Sequence, residues 1–173
     1  MIRLNWSRVA AANLLVVVVA GCAIGKTPRP AVSPALIVDG AVDHPLKLQA
    51  DDLLKMLRTT VQATEHHGVQ ATYKGVLLPE ILKAPGAPLG ERLRGRALAT
   101  SVVASAQDRY QVLFVLPELD PSFTDQTVLV AGRINGKPLP DVQGLLRIIA
   151  LHEKRAAKWI RMVQAIKVHR LVE

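Results

Sequence analysis

Three groups of side chains in this sequence have the types and spacing to do chemistry. Glu65, His66 and His67 are consecutive, and a carboxylate beside two imidazoles is a donor mix that copper or zinc accepts. On a strand, adjacent side chains point to opposite faces, so His66 and His67 could share an ion only from a turn. His44, His152 or His169 would then have to complete the shell; otherwise the pair are solvated turn histidines. Arg92, Arg94 and Arg96 alternate in a short stretch, and Lys154, Arg155, Lys158, Arg161, Lys167 and Arg170 crowd the C-terminal part. Guanidinium forks match carboxylate and phosphate oxygens. Such a set reads either as a solvated face or as a surface for an anionic ligand, phospholipid headgroups or an acidic protein partner. The third group is a single residue, Cys22, the chain's one cysteine. One thiol excludes an intrachain disulfide, a CxxC redox pair and a multi-cysteine zinc site. Asp51, Asp52, Glu118, Asp120 and Asp125 fall at expected helix starts and turns, where capping accounts for them. There is no Gly-x-Ser-x-Gly, no P-loop and no Gly-rich cofactor fingerprint.

Cys22 has an informative context. Residues 1–8 are basic through Arg3 and Arg8, and residues 9–20 are apolar except for Asn13. As a helix that run would be roughly 18 Å long, short of a ~30 Å hydrocarbon core. A basic head, a short apolar body and small residues at the end read as an export signal. The closing Val19, Ala20, Gly21 and Cys22 resemble the bacterial lipobox. In that family of signals a diacylglycerol is attached to the cysteine and the chain is cut before it. The resemblance implies a signal peptide over 1–21, a lipidated cysteine and Pro-rich tether over 22–34, and one domain over 35–173. The expected address is the bacterial cell envelope, lipid-anchored, facing the periplasm or the outer surface. Two acyl chains, palmitate among the usual ones, hold a protein stably on a bilayer. An uncleaved anchor or a plain secretory cut would also carry the domain out of the cytoplasm.

The elements that must position these groups follow from composition and pattern. At 173 residues, half of them apolar, the chain is enough for one ordinary domain with a packed core. The net charge is +8, yet aromatic residues make up only 3%. A base-stacking surface is thus poorly supplied, and with an exported address no nucleic-acid partner is expected. Residues 36–38 and the alternating Leu46 and Leu48 read as strands, followed by a helix begun at Asp51 or Asp52 and ending near Arg58. Strands over 61–65 and 69–73 meet at a turn holding His66, His67 and Gly68, and Pro79 opens a short helix through Lys83. Strands are expected over 97–106 and 110–115, and over 127–134 into an Asn135-Gly136 hairpin. Two more are expected over 145–151 and 158–168. Many strands with few short helices make the fold α+β, with a mixed or antiparallel sheet.

From residue 36 to 168 the order of signals resembles the molybdopterin-binding domain of sulfite-oxidase-like oxidoreductases. The carrying pieces are Val38, Asp39 and Gly40; the Leu46 to Leu48 strand; Tyr73, Gly75 and Val76; Leu78 to Leu82; and Gln107 to Tyr110. Asn135 and Gly136, then Gly144 to Ile149, and lastly Lys158 and Trp159 complete the order. The family's Asp-Gly-Tyr turn reads Asp108, Arg109 and Tyr110 here, and its Gly-Pro-Leu-Arg reads Gly144, Leu145, Leu146 and Arg147. The resemblance implies that fold and singles out Arg147 and Tyr110; with Arg94 and Arg96 of the basic run they are the candidate ligand-binding side chains. It also implies a molybdenum-ligating cysteine early in the domain, a soft ligand suited to the metal. The matching stretch holds Thr64, Glu65, His66 and His67 but no cysteine, and Cys22 belongs to the lipobox. The expected protein is therefore a tethered lipoprotein with a degenerate, non-catalytic oxidoreductase-like domain, no cofactor, and an anionic ligand or envelope protein as partner. Two alternatives stand beside it. One is an oxidoreductase component holding molybdopterin without a protein thiolate; the other is an envelope copper or zinc binder using Glu65, His66 and His67.

Overall fold

Short β-branched and leucine-rich runs separated by glycine, proline and Asx turns leave this chain little choice but strands. The computed structural model describes residues 35–56, 58–65 and 68–170, all within the unit Ser33–Glu173. Five strands, β1 (Leu36–Gly40), β2 (Leu46–Leu48), β5 (Thr100–Ala106), β6 (Gln111–Val115) and β10 (Val163–Arg170), form one sheet in the order β2-β1-β10-β5-β6. Only β1 and β10 pair in parallel. A second sheet is antiparallel throughout. It joins β3 (Arg58–Thr64), β4 (Gln70–Leu77) and β7 (Val128–Ile134), with β8 (Lys137–Pro138) and β9 (Arg147–Ala150) sharing the far edge of β7. Two helices of six residues each, α1 (Ala50–Lys55) and α2 (Leu78–Lys83), complete an α+β fold of mixed and antiparallel sheets.

The main core lies between the two sheets. Leu36, Val38, Val102, Phe114 and Ile166 of the first meet Val76, Val130 and Ile148 of the second, with Ile81 and Leu82 of α2 among them. The alternation of burial along β5, every second residue inside, is the period that places one face of a strand in such a layer. Tyr73, Leu129, Ala131 and Ile149 project to the other face of the second sheet, where Ala63, Ala71 and Leu139 join them in a smaller cluster.

Local detail departs from the sequence expectations in instructive places. Gln49, not Asp51 or Asp52, caps α1; Asp52 sits at the third helical position and accepts the Gln49 N–H at 2.9 Å. Arg58 does not close that helix. It opens β3, because the β3–β4 ladder runs without a break from Thr64–Gln70 to Arg58–Val76 and claims it. The strands expected from 97, 145 and 158 begin later, at Thr100, Arg147 and Val163. Residues 97–99 belong instead to a 3-10 turn, Gly95–Ala99, and Lys158 ends another, Ala156–Lys158. Asn135 and Gly136 both take positive φ, as a two-residue hairpin requires. Among the described residues no helix is long and apolar enough to cross a membrane. The leader, Cys22 and the tether lie outside the described residues, as do His66 and His67.

Asp120 ties the long connections to the core. Its carboxylate, 2% exposed, accepts the backbone N–H of Gly90 at 2.5 Å and of Ser122 at 2.9 Å. Burial alone would raise its pKa; the two N–H donors, the Ser122 hydroxyl and the charge of Lys83 together outweigh burial and hold it below the ordinary value. A folded-state pKa below the unfolded one stabilises above the unfolded value, near pH 4, and the contribution fades as pH falls through the folded value. The Asp120→Asn variant is expected to be about 1–2 kcal/mol less stable at pH 7. The gap from wild type should narrow below about pH 4 in denaturant melts.

Candidate functional site

Strand β9 carries an arginine where a buried strand would ordinarily carry aliphatic carbon. Arg147, 8% exposed, is followed by Ile148, Ile149 and Ala150, all buried. By strand alternation it shares a face with Ile149 and so with Tyr73, away from the main core. The entry to β9 depends on Gly144. Its φ is +72°, and a Cβ there would lie 2.8 Å from the Cα of Met162, so only glycine lets this turn lie against the chain entering β10.

The guanidinium gathers oxygens from three elements. Arg147 Nη1 lies 2.7 Å from Glu65 Oε1, 3.0 Å from the Tyr73 hydroxyl and 2.9 Å from Gln143 Oε1. It has two hydrogens for three acceptors, so the group is shared rather than locked on one partner. Tyr73 donates its hydroxyl proton to the same Glu65 oxygen. Above and beside the guanidinium stand two rings, Tyr73 and Trp159, each with its centroid 5.5 Å from the Arg147 carbon. The rings meet edge to face at 6.2 Å, and Trp159 is pinned by its indole N–H on the Ala150 carbonyl at 2.7 Å. Burial, then the hydrogen bond to Glu65, push the Tyr73 pKa well above that of a free phenol, while Arg147 pulls it partly back. Tyr73 is therefore a proton donor here and no phenolate base at neutral pH. One donor is left over: Arg147 Nε is buried with no hydrogen-bond partner among the described residues.

A cavity of about 420 Å³ opens beside this cluster. Arg147, Glu65, Gln143 and Trp159 line one part of it, and Tyr110, Asp108 and Arg161 another. Tyr110 is held there from two directions. Asp108 accepts its backbone N–H at 3.0 Å in an Asx turn, and its hydroxyl donates to the Ala157 carbonyl at 2.9 Å.

Of the residues singled out in the sequence, the structure brings Arg147, Tyr110 and Glu65 to one cavity. Arg94 and Arg96 are exposed on the Gly95–Ala99 turn and its cap and do not line it. Arg92 is tied to its own loop, donating to the Ala87 carbonyl at 2.8 Å with Asp43 3.6 Å away. Lys158 is flanked by Glu118 and Glu153, each at 3.2 Å. As for the metal reading, Glu65 is engaged by Arg147 and Tyr73, and among the described residues no group of three His, Cys, Asp or Glu side chains could hold an ion. Sequence reasoning missed Tyr73, Gln143 and Trp159 as site residues, and it missed Glu65 as the counter-charge of Arg147. Only pairing order could have revealed them: Tyr73 on β4 and Arg147 on β9 both flank β7, which the residue spacing does not disclose.

For a molybdenum ion that needs a protein sulfur, this donor set is wrong. It offers carboxylate, phenol, carboxamide and guanidinium groups, and the described residues include no cysteine.

Comparison with known proteins agrees with the architecture. Among solved structures the chain is similar to the sulfane dehydrogenase SoxCD from Paracoccus pantotrophus, with a TM-score of 0.61 at 19% identity. The match covers 78% of this chain and 37% of that one, so the present chain spans little more than a third of its neighbour. No curated protein sequence matches. The oxidoreductase molybdopterin binding domain matches residues 25–171, nearly the whole sequence, and the chain belongs to that family.

Proposed function

We propose that this chain is a lipid-anchored protein of the bacterial envelope whose molybdopterin-binding-type domain works by binding a small oxyanion at Arg147, without molybdenum chemistry. The observation that carries the reading is Arg147, a guanidinium that lines an open cavity and keeps one buried N–H, at Nε, without a partner among the described residues. An unsatisfied buried donor costs about 1–3 kcal/mol, and a carboxylate, phosphate or sulfate oxygen offsets that loss. Arg161 on the same cavity adds a second cation. Attachment at Cys22 rests on the lipobox-like residues before it, and exposed Arg94 and Arg96 suit an acidic partner better than a small ligand.

The orphaned Nε also favours a second reading, in which the anion is the phosphate of a pterin held without a protein thiolate. One preparation separates the two: the full chain purified from a molybdopterin-competent host. We expect a diacylglyceryl mass on Cys22, its loss together with membrane association in Cys22→Ser, and neither molybdenum nor pterin in the extract. With residues 1–21 removed, Trp159 is the one tryptophan left; sulfate or phosphate should change its fluorescence saturably, and Arg147→Met should abolish the response. Stoichiometric molybdenum overturns the proposal, and pterin without metal moves the assignment to the second reading.

A further inference from the structure

A separate cavity of about 430 Å³ shares no lining residue with the one at Arg147. Its walls are aliphatic: Leu53 and Leu54 of α1, Val76 and Val130 from β4 and β7, and Leu145 and Leu146 ahead of β9. The opening has a backbone cause. Lys74 pairs with Arg133 while Gly75 pairs with Ala131, so Gly132 is the extra residue of a β-bulge. Gly132 lines the cavity without a side chain. A Cβ there would meet only Leu145 O and the Leu146 side chain, both at 3.8 Å, which is ordinary contact.

Two of the lining leucines remain in solvent, Leu145 at 72% exposure and Leu54 at 49%. Single exposed leucines are ordinary, but two flanking an aliphatic cleft mark a place where apolar surface waits for a partner. The charges of the lining say which kind. Arg58 is half-buried, and its side chain makes no ion pair or hydrogen bond among the described residues. Arg133 donates to the Gly136 carbonyl at 3.1 Å and has no carboxylate partner among the described residues. Asp141 is the single carboxylate of the lining, so cations outnumber anions two to one. The lining has no aromatic side chain, which suits a flexible alkyl chain better than a planar ring.

We infer that this cavity takes the alkyl chain of a single-headed anionic amphiphile, a fatty-acid-type carboxylate, with Arg58 and Arg133 facing its head. The inference is independent of the oxyanion site, because the two cavities have no residue in common. It can be tested on the full chain in bacterial membranes with a photoactivatable diazirine analogue of palmitate, mapping the labelled peptides. Labelling should fall on the segments holding Leu53, Leu54, Leu145 and Leu146. Dodecanoate should compete about tenfold better than dodecyltrimethylammonium, which has the same chain length and the opposite charge. Gly132→Leu, which fills the cavity, should remove the label, while Arg58→Gln with Arg133→Gln should keep the label and erase the preference for the anion. Label scattered over other segments, equal competition by the two amphiphiles, or undiminished labelling of a folded Gly132→Leu overturns it. Sulfate response at Trp159 should be unaltered in all these variants.

Discussion

Replacing Arg147 by methionine is expected to lower stability by about 3 kcal/mol, which for a domain of this size lowers the melting temperature by roughly 6–12 °C. Methionine keeps most of the apolar stem, so the loss measures the guanidinium. Removing one partner of a buried ion pair costs about 3–5 kcal/mol because the other charge is stranded. Here Glu65 keeps 27% of its side-chain surface in solvent, against 10% for Arg147, and water will take up part of the stranded charge. That argues for the low end of the range. The two ring faces on the guanidinium push the other way, since a desolvated cation–π contact is worth up to about 2 kcal/mol. Glu65→Gln should be milder, near 1 kcal/mol, because an amide oxygen still accepts from Arg147 and Tyr73. In the double variant the losses should fall short of additivity by about 1–2 kcal/mol, the signature of two groups acting on each other. Equilibrium denaturation of the four proteins decides it. A methionine variant within about 0.5 kcal/mol of wild type would mean that Glu65 and Tyr73 are satisfied without the arginine.

This cluster also shows how far the sequence could be read. The hairpin of β3 and β4, the Asn135-Gly136 turn and the proline-led α2 were legible because each is dictated within a few residues by turn chemistry or proline geometry. Arg147 was legible through its motif position. Its surroundings were not, because the partners come from loci 82, 74 and 4 residues away. Which strands flank β7 is decided by the burial of whole faces, and no local pattern encodes that. Glu65 illustrates this: nothing beside it in the chain points to Arg147, and only the strand order around β7 shows that an arginine faces it. The late starts of β5 and β10 have the same origin. Residues 97–99 and 158 have strand-compatible composition, but short 3-10 turns carry the chain between the sheets there.

Gly75→Ala should be among the most damaging single-methyl changes in the described domain, at about 3–4 kcal/mol, although alanine is the mildest replacement glycine has. Gly75 lies in β4, between Thr59 of β3 and Ala131 of β7, and its φ is outside the left-handed region. The obstacle is space. An added Cβ would overlap the Val130 carbonyl oxygen and lie 2.6 Å from the Ala131 Cα, both backbone atoms that no rotamer change can move aside. Strand β7 would have to retreat from β4 at the bulge. That opens the Val76–Val130 pairing behind it and disturbs Tyr73, two residues along the same strand. Near-UV circular dichroism from Tyr73 and Trp159 should weaken together with stability, since their edge-to-face contact depends on β4 keeping its place. Gly132 supplies the control. It sits in the same bulge, and its added methyl would make only 3.8 Å contacts, so Gly132→Ala should shift stability by less than about 1 kcal/mol. The sequence offers no way to tell these two glycines apart, each being flanked by apolar and basic residues of a strand. Equal losses from the two substitutions would show that β7 yields freely, and the close approach of β4 and β7 would then not be what holds Tyr73 against Arg147.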